Sequence, residues 1–230
     1  MIKKILFFVG LVTTLISISS ISALGAGCYK IGVLAALDDS LHILDEKPEV
    51  IGNYRKAFVA AGLCVEFVKL PVRRAEMMLV NGEIDGELFR TILWAERFAQ
   101  KIVYVPTPVH IDHMMALSLI QNGYSFDSMD DLKPYRVLIS DGHRWNEAKL
   151  AAKGIKPKTA GTVVRFLELM RRGDVDVALA EKSLIPKLYD LSDIKIEPLE
   201  PLTYHIVLRR ELAQYVPGLD SALKDLFEEP

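Results

Sequence analysis

Met77-Met78-Leu79-Val80-Asn81-Gly82-Glu83-Ile84-Asp85-Gly86-Glu87-Leu88 is echoed later in the chain by Glu168-Leu169-Met170-Arg171-Arg172-Gly173-Asp174-Val175-Asp176-Val177-Ala178-Leu179. Each copy reads as a helix end, a glycine stop, an acidic turn and a strand. Glycine tolerates the left-handed backbone that closes a helix, and the apolar run after the aspartate suits a buried strand. Each copy also follows a strand (65–68 in one case, 136–140 in the other) and an amphipathic helix. Two similar α/β lobes in one chain are the simplest account of that doubled order.

The pattern continues on both sides of the echo. Residues 29–34 read as a buried strand, 50–61 as a helix stopped by Gly62, and 65–68 as a second strand. Pro71 then starts a helix through Val80, proline being suited to a first helical turn, and 84–89 form a third strand. Pro106 and Pro108 mark an extended segment that precedes the apolar stretch 114–120, and Pro198 and Pro201 mark another. A strand over 204–208 and a closing helix over 217–227 follow. The spacing therefore predicts a first lobe of 28–109 completed by 203–230, a second lobe of 110–202, and two hinge crossings with one main axis of freedom.

Residues 1–27 read as a cleaved secretory leader: Lys3 and Lys4, an apolar run over 5–12, then small residues to Ala23-Leu24-Gly25-Ala26-Gly27. Serines and threonines after residue 12 thin the run below what a membrane span needs. Export to the periplasm places Cys28 and Cys64 in an oxidising compartment. If the strands beginning beside them are parallel neighbours, the two cysteines lie close enough to bridge. The competing reading makes Cys28 a lipid-modified terminal cysteine. A net charge of −2 with both signs scattered gives no case for nucleic acid. No cofactor is expected, since no phosphate-binding glycine loop occurs, and no nucleophile elbow or activated cysteine points to an enzyme. His110-Ile111-Asp112-His113 raises a metal site, but its context is extended and lacks a third ligand nearby, so no metal is expected. A monomer is expected.

Three stretches carry a family resemblance: Leu70-Pro71-Val72-Arg73-Arg74-Ala75-Glu76 with Asn81-Gly82-Glu83-Ile84-Asp85-Gly86; Asp131-Leu132-Lys133-Pro134-Tyr135-Arg136-Val137 with Gly142; and Arg172-Gly173-Asp174-Val175-Asp176-Val177-Ala178. In their order and spacing they resemble the family 3 bacterial extracellular solute-binding proteins. The resemblance implies a two-lobed type II periplasmic-binding-protein fold, each lobe a mostly parallel sheet flanked by helices. It also implies a small-molecule ligand in the inter-lobe cleft and a membrane ABC permease as partner. A ligand sensor signalling to a membrane partner and a dehydratase-like enzyme are the alternatives that the same scaffold hosts.

By the same resemblance Arg97 grips a ligand carboxylate and Glu181 receives a ligand ammonium, a pairing that suits guanidinium–carboxylate chemistry. The chain departs from the pattern in three places. Arg90-Thr91-Ile92-Leu93-Trp94 replaces a hydroxyl-rich stretch, Gly142-His143-Arg144-Trp145 replaces a Gly-Thr or Gly-Ser loop, and 37–42 lacks an aromatic wall. The extra basic groups Arg90, His143 and Arg144 point to a ligand that is amino-acid-like or more anionic. Each residue has a plainer alternative: Arg97 paired with Glu96 or Glu87, Glu181 with Lys182 or Lys187, and His143 and Arg144 in a solvated loop. Trp94 and Trp145 wall the cleft or pack in the core.

Overall fold

The computed structural model describes residues 27–35, 48–185 and 190–228. The leader expected over 1–27, apart from Gly27 itself, the stretch 37–42 and Lys187 lie outside the described residues. In chain order the elements are β1 (Tyr29–Ala35), α1 (Pro48–Ala60), β2 (Val65–Pro71), α2 (Val72–Asn81), β3 (Gly86–Arg90), α3 (Ile92–Arg97), β4 (Ile102–Tyr104), β5 (His110–Leu119), β6 (Val137–Ser140), α4 (Arg144–Ala152), β7 (Lys158–Ala160), α5 (Val163–Arg171), β8 (Val177–Glu181), β9 (Ile194–Arg209) and α6 (Val216–Glu228), with short 3-10 turns between some of them. Among the described residues no helix is long and apolar enough to cross a membrane.

The doubled sequence is a doubled structure. β1 lies between β2 and β3 and parallel to both, and β6 lies in the same way between β7 and β8. The helix before each third strand ends at a left-handed glycine, Gly82 at φ 80° and Gly173 at φ 74°. The N–H groups of these glycines and of the residues after them return to carbonyls of their helices, Leu79 and Met78 in one lobe, Met170 and Leu169 in the other. Those bonds satisfy acceptors that a helix end leaves open. The aspartates then pin the turns to the central strands. Asp85 donates its N–H to the Lys30 carbonyl and accepts the Lys30 N–H, each at 2.8 Å. Asp176 does the same with Arg136, at 3.0 and 2.8 Å.

The hydrogen-bonded strand order is β2-β1-β3-β9-β5-β8-β6-β7, with β4 also on β9. Among the described residues its continuity comes from β9 alone, which belongs to both half-sheets. The C-terminal part of β9 pairs antiparallel with β3 and β4, and the rest pairs with β5 from His110↔Tyr204 to Leu119↔Ile194. Pro198 and Pro201, expected to mark a separate connection, are instead inside this one strand. They are tolerated because β9 has only β5 beside it there among the described residues, so a missing N–H breaks no second ladder. A register shift between Met114 and Met115, opposite Glu200 and Pro198, takes up the irregularity.

Each lobe buries side chains on both faces of its sheet. In the first, Phe58, Ile31, Leu219 and Leu223 seal α1 and α6 on one face, and Ala75, Leu79 and Trp94 seal α2 and α3 on the other. In the second, Met129, Trp145 and Leu150 pack one face, and Phe166, Leu167 and Met170 the other. Full burial of one such large side chain contributes about 1.5–3 kcal/mol. Cys28 and Cys64 form a disulfide with a Cα–Cα distance of 4.7 Å, joining the starts of the parallel neighbours β1 and β2.

Candidate functional site

The third strands of the two lobes run in opposite directions and end facing each other between Glu200 and His205 of β9, at the edge where open α/β sheets present their ligand-binding loops. β3 ends at Arg90, β8 ends at Glu181, and β6 leads through Gly142 into His143 and α4. Four of the five residues expected at a site from the sequence, Arg90, His143, Arg144 and Glu181, therefore come from this edge.

Arg90 is fixed on several sides. Its Nε donates to Glu87, its Nη2 donates to the Val72 carbonyl at 3.0 Å, and its guanidinium lies 4.5 Å from the Trp94 ring centroid. Arg90 is 5% exposed and Glu87 fully buried, so the two form a buried ion pair. Burial pushes the Glu87 carboxyl up against the opposing pull of Arg90, and its Oε1 has no hydrogen-bond partner among the described residues. Trp94 is held by the cap of α3, where the Thr91 hydroxyl accepts its N–H at 3.3 Å. The indole Nε1 in turn donates to Glu76 Oε2 at 3.0 Å.

In the other lobe His143 caps α4. Its Nδ1 accepts the Asn146 N–H at 3.2 Å, which assigns the ring proton to Nε2, and Nε2 donates to Glu181 Oε1 at 2.9 Å. Tyr204, on the crossing strand β9, hydrogen-bonds to Glu181 as well. Loss of solvation pushes its phenol well above the ordinary value, and the charges of Glu181 and Asp112 push further. Arg90 acts on the same phenol in the opposite direction, and it is paired with His205, the residue after Tyr204 on β9. Arg144 donates Nη1 to Glu147 at 2.8 Å and reaches across the lobes to Glu76, with both contacts at 3.4 Å.

An aromatic row follows the crossing. Tyr54 meets Phe89 edge-on at 5.9 Å, Phe89 meets His110 at 6.3 Å, and His110 stacks on Tyr204 at 5.8 Å. The Tyr54 hydroxyl donates to the Val109 carbonyl at 2.8 Å, and burial pushes its phenol up to about 12. Beside this row Asp112 accepts the Ser183 hydroxyl at 2.6 Å and the Ser183 N–H at 3.2 Å.

Arg97 stands apart from this cluster. It is the exposed last residue of α3, and its guanidinium lies 6.0 Å from the ring of the adjacent Phe98. His110 and His113 belong to the extended strand β5, where an odd spacing sends side chains to opposite faces. Among the described residues no group of three or more His, Cys, Asp and Glu is arranged to hold a metal ion. Trp145 packs in the core of the second lobe, and Asp85 and Asp176 serve the turns at the far ends of the strands.

Glu76, Glu87, Asp112 and Tyr204 were not singled out as ligand-site residues from sequence. Glu87 had a visible signal, an acidic residue inside the otherwise apolar strand run 84–89. Glu76 follows Arg73 and Arg74 in α2 and reads as part of a charged helix face, and Tyr204 resembles any strand aromatic.

No family model matches the chain, and no curated protein matches it. Solved structures do match its fold. The arginine-, lysine-, histidine-binding protein ArtJ from Geobacillus stearothermophilus is 18% identical, with a TM-score of 0.64 over 87% of this chain and 90% of that one. The GluR0 ligand-binding core in complex with L-glutamate is 15% identical, with a TM-score of 0.65 over 87% and 92%. A histidine kinase sensor domain with similarity to periplasmic binding proteins is 17% identical, with a TM-score of 0.64 over 87% and 90%. These likenesses establish the fold, a two-lobed periplasmic-binding-protein architecture of mixed α/β lobes.

Proposed function

We propose that this chain is an exported solute-binding protein that closes its lobes on a small polar ligand and carries out no covalent chemistry. The observation that carries the reading is where the two third strands end: Arg90 is paired with His205 of β9, and Glu181, held by His143, lies opposite Met114, itself paired with Glu200 of the same strand. In this reading Arg90 orients a ligand carboxylate and Glu181, held by His143 and Tyr204, receives an ammonium. Arg97, the residue implied by family resemblance, is too exposed to be preferred for that role. The lobes are 28–109 with 203–230, and 110–202. Ligand contacts present only in the closed arrangement would shift the population toward closure.

The basic groups that suggested an anionic ligand are matched by carboxylates of the chain itself: Arg90 by Glu87, Arg144 by Glu76 and Glu147, His143 by Glu181. That matching favours an amino-acid-like zwitterion over an anion. The disulfide agrees with a periplasmic location and a leader over 1–27, and delivery to a membrane ABC permease follows from the solute-binding role. The likeness to a histidine kinase sensor domain keeps a second reading open, in which closure is reported to a membrane sensor rather than to a permease.

The test is a thermal-unfolding screen of the purified chain against amino acids, polyamines, organic acids and small anions. A solute at a hundred times its dissociation constant adds about 2.7 kcal/mol of stability. A zwitterionic hit recovered chemically intact supports the reading. No stabilising solute, or turnover of the hit, overturns it.

A further inference from the structure

Glu76 belongs to α2 in the first lobe, yet its carboxylate is held like a bound ligand. Arg144 of the second lobe donates Nε to Oε2 and Nη2 to Oε1, both at 3.4 Å, so the guanidinium fork spans the two oxygens. Trp94 Nε1 donates to Oε2 at 3.0 Å from the first lobe, and the Arg90 charge acts on the same carboxylate. A planar fork, an indole donor and a second cation make a carboxylate-recognition site in their own right. The Glu76 side chain is 16% exposed and that of Arg144 35%, so the contact is shielded without being sealed. Neighbouring surfaces support the same approach: a Cβ on Gly142, in the loop leading to α4, would lie 2.9 Å from Arg73 Nε of α2.

We propose that Glu76 is a built-in occupant of a carboxylate site that spans both lobes, latching them together without any solute. Arg144 and Trp94 form the site, Arg90 flanks it, and the chain supplies its own anion. The latch has two effects. It raises the closed population of the empty protein, and it denies Arg144 to an external anion, so the cleft disfavours ligands with surplus negative charge. The inference rests on reading the lobes as a closing pair around a solute.

Removing the built-in anion should open the site to an external one. In Glu76→Ala, the unliganded molecule is expected to show a larger radius of gyration by small-angle X-ray scattering and a lower Tm. Sodium acetate, compared with sodium chloride at equal ionic strength, should then raise the Tm saturably by about 2–4 °C and restore the compact profile. Wild type and Glu76→Ala/Arg144→Gln should give no such response. An acetate effect equal in wild type, or surviving in the double variant, overturns the proposal, as does an unexpanded Glu76→Ala. Should the alanine variant fail to fold, the near-isosteric Glu76→Gln must still expand the empty protein, and an unchanged radius overturns the latch. Acetate is independent of the solute screen, so a wild type that binds no solute refutes the binding role while the acetate response still decides the latch.

Discussion

Arg90 and Glu181 occupy the same position in the two structural repeats and carry opposite charge. Each is the last residue of the third strand of its lobe, the same distance along the chain beyond the turn aspartates Asp85 and Asp176. A duplicated framework has thus placed a cation and an anion at matching strand ends, on the edge where the lobes face each other. A ligand with a carboxylate at one end and an ammonium at the other matches that arrangement.

Removing either charge should therefore abolish solute-induced stabilisation. Glu181→Gln tests one side directly. On the other, Arg90→Gln alone strands a buried Glu87 and is expected to cost about 3–5 kcal/mol of stability. The paired variant Glu87→Gln/Arg90→Gln avoids the stranded charge and should fold while giving no thermal shift with the solute. Arg97→Ala, altering an exposed guanidinium, should keep the full shift, and its loss would move the anchor from Arg90 to Arg97.

Gly86 of β3 is paired with Ile31 of β1 on one side and Leu208 of β9 on the other. A Cβ there would sit 2.6 Å from the Val207 carbonyl oxygen and 2.8 Å from Leu208 Cδ2. Gly86→Ala should push β3 from β9 and cost about 1–3 kcal/mol in chemical denaturation. An unchanged denaturation midpoint would show that the strands separate without penalty.

Acid should destabilise the fold through carboxyls held below their ordinary values. Hydrogen bonds from Arg136 lower Asp176 most, while for Glu76 burial pushes up and the Trp94 and Arg144 bonds outweigh it. For Asp220 burial also pushes up and is outweighed by the Lys224 and Thr107 hydrogen bonds. A carboxyl lowered in the folded state contributes stability that is present above its unfolded value, 3.8 for aspartate and 4.5 for glutamate, and is lost as pH falls through the folded value. Glu87, raised by burial, works the other way and erodes stability as pH climbs through its raised value. The Tm should fall steeply below about pH 4.5, and Asp176→Asn should flatten that fall. An identical acid limb in the variant would remove Asp176 from the account.

The disulfide spans a separation of 36 residues, and the loop-entropy relation gives about 4 kcal/mol for closing it. Cys28→Ser/Cys64→Ser should unfold at correspondingly lower denaturant, and reductant should lower the wild-type midpoint without affecting the variant. Equal midpoints with and without reductant in wild type would mean that the bridge is not formed.

The repeat was legible because its signals are local. A glycine that must take positive φ and an aspartate that answers backbone N–H groups leave marks in a few consecutive letters, as at Gly82 and Asp85. Arg90, His143, Arg144 and Glu181 could be placed because strand ends fix where a loop begins. Their partners could not be read this way. Glu76 joins Arg144 across 68 residues of sequence and Tyr204 joins Glu181 across the crossing strands, so each pairing depends on tertiary approach rather than period. The reach of β9 was also hidden, since Pro198 and Pro201 normally argue against a strand and are acceptable only at an edge that the sequence does not mark.

Because β9 serves both sheets, no contiguous half of the polypeptide can satisfy its own backbone. A fragment of 110–193 would leave β5 with a naked row of amides and carbonyls, an invitation to zip onto any other extended chain. The same dependence offers a route to complementation in trans: a peptide of 194–230 added to 28–193 should insert as the missing spine and restore both lobes at once.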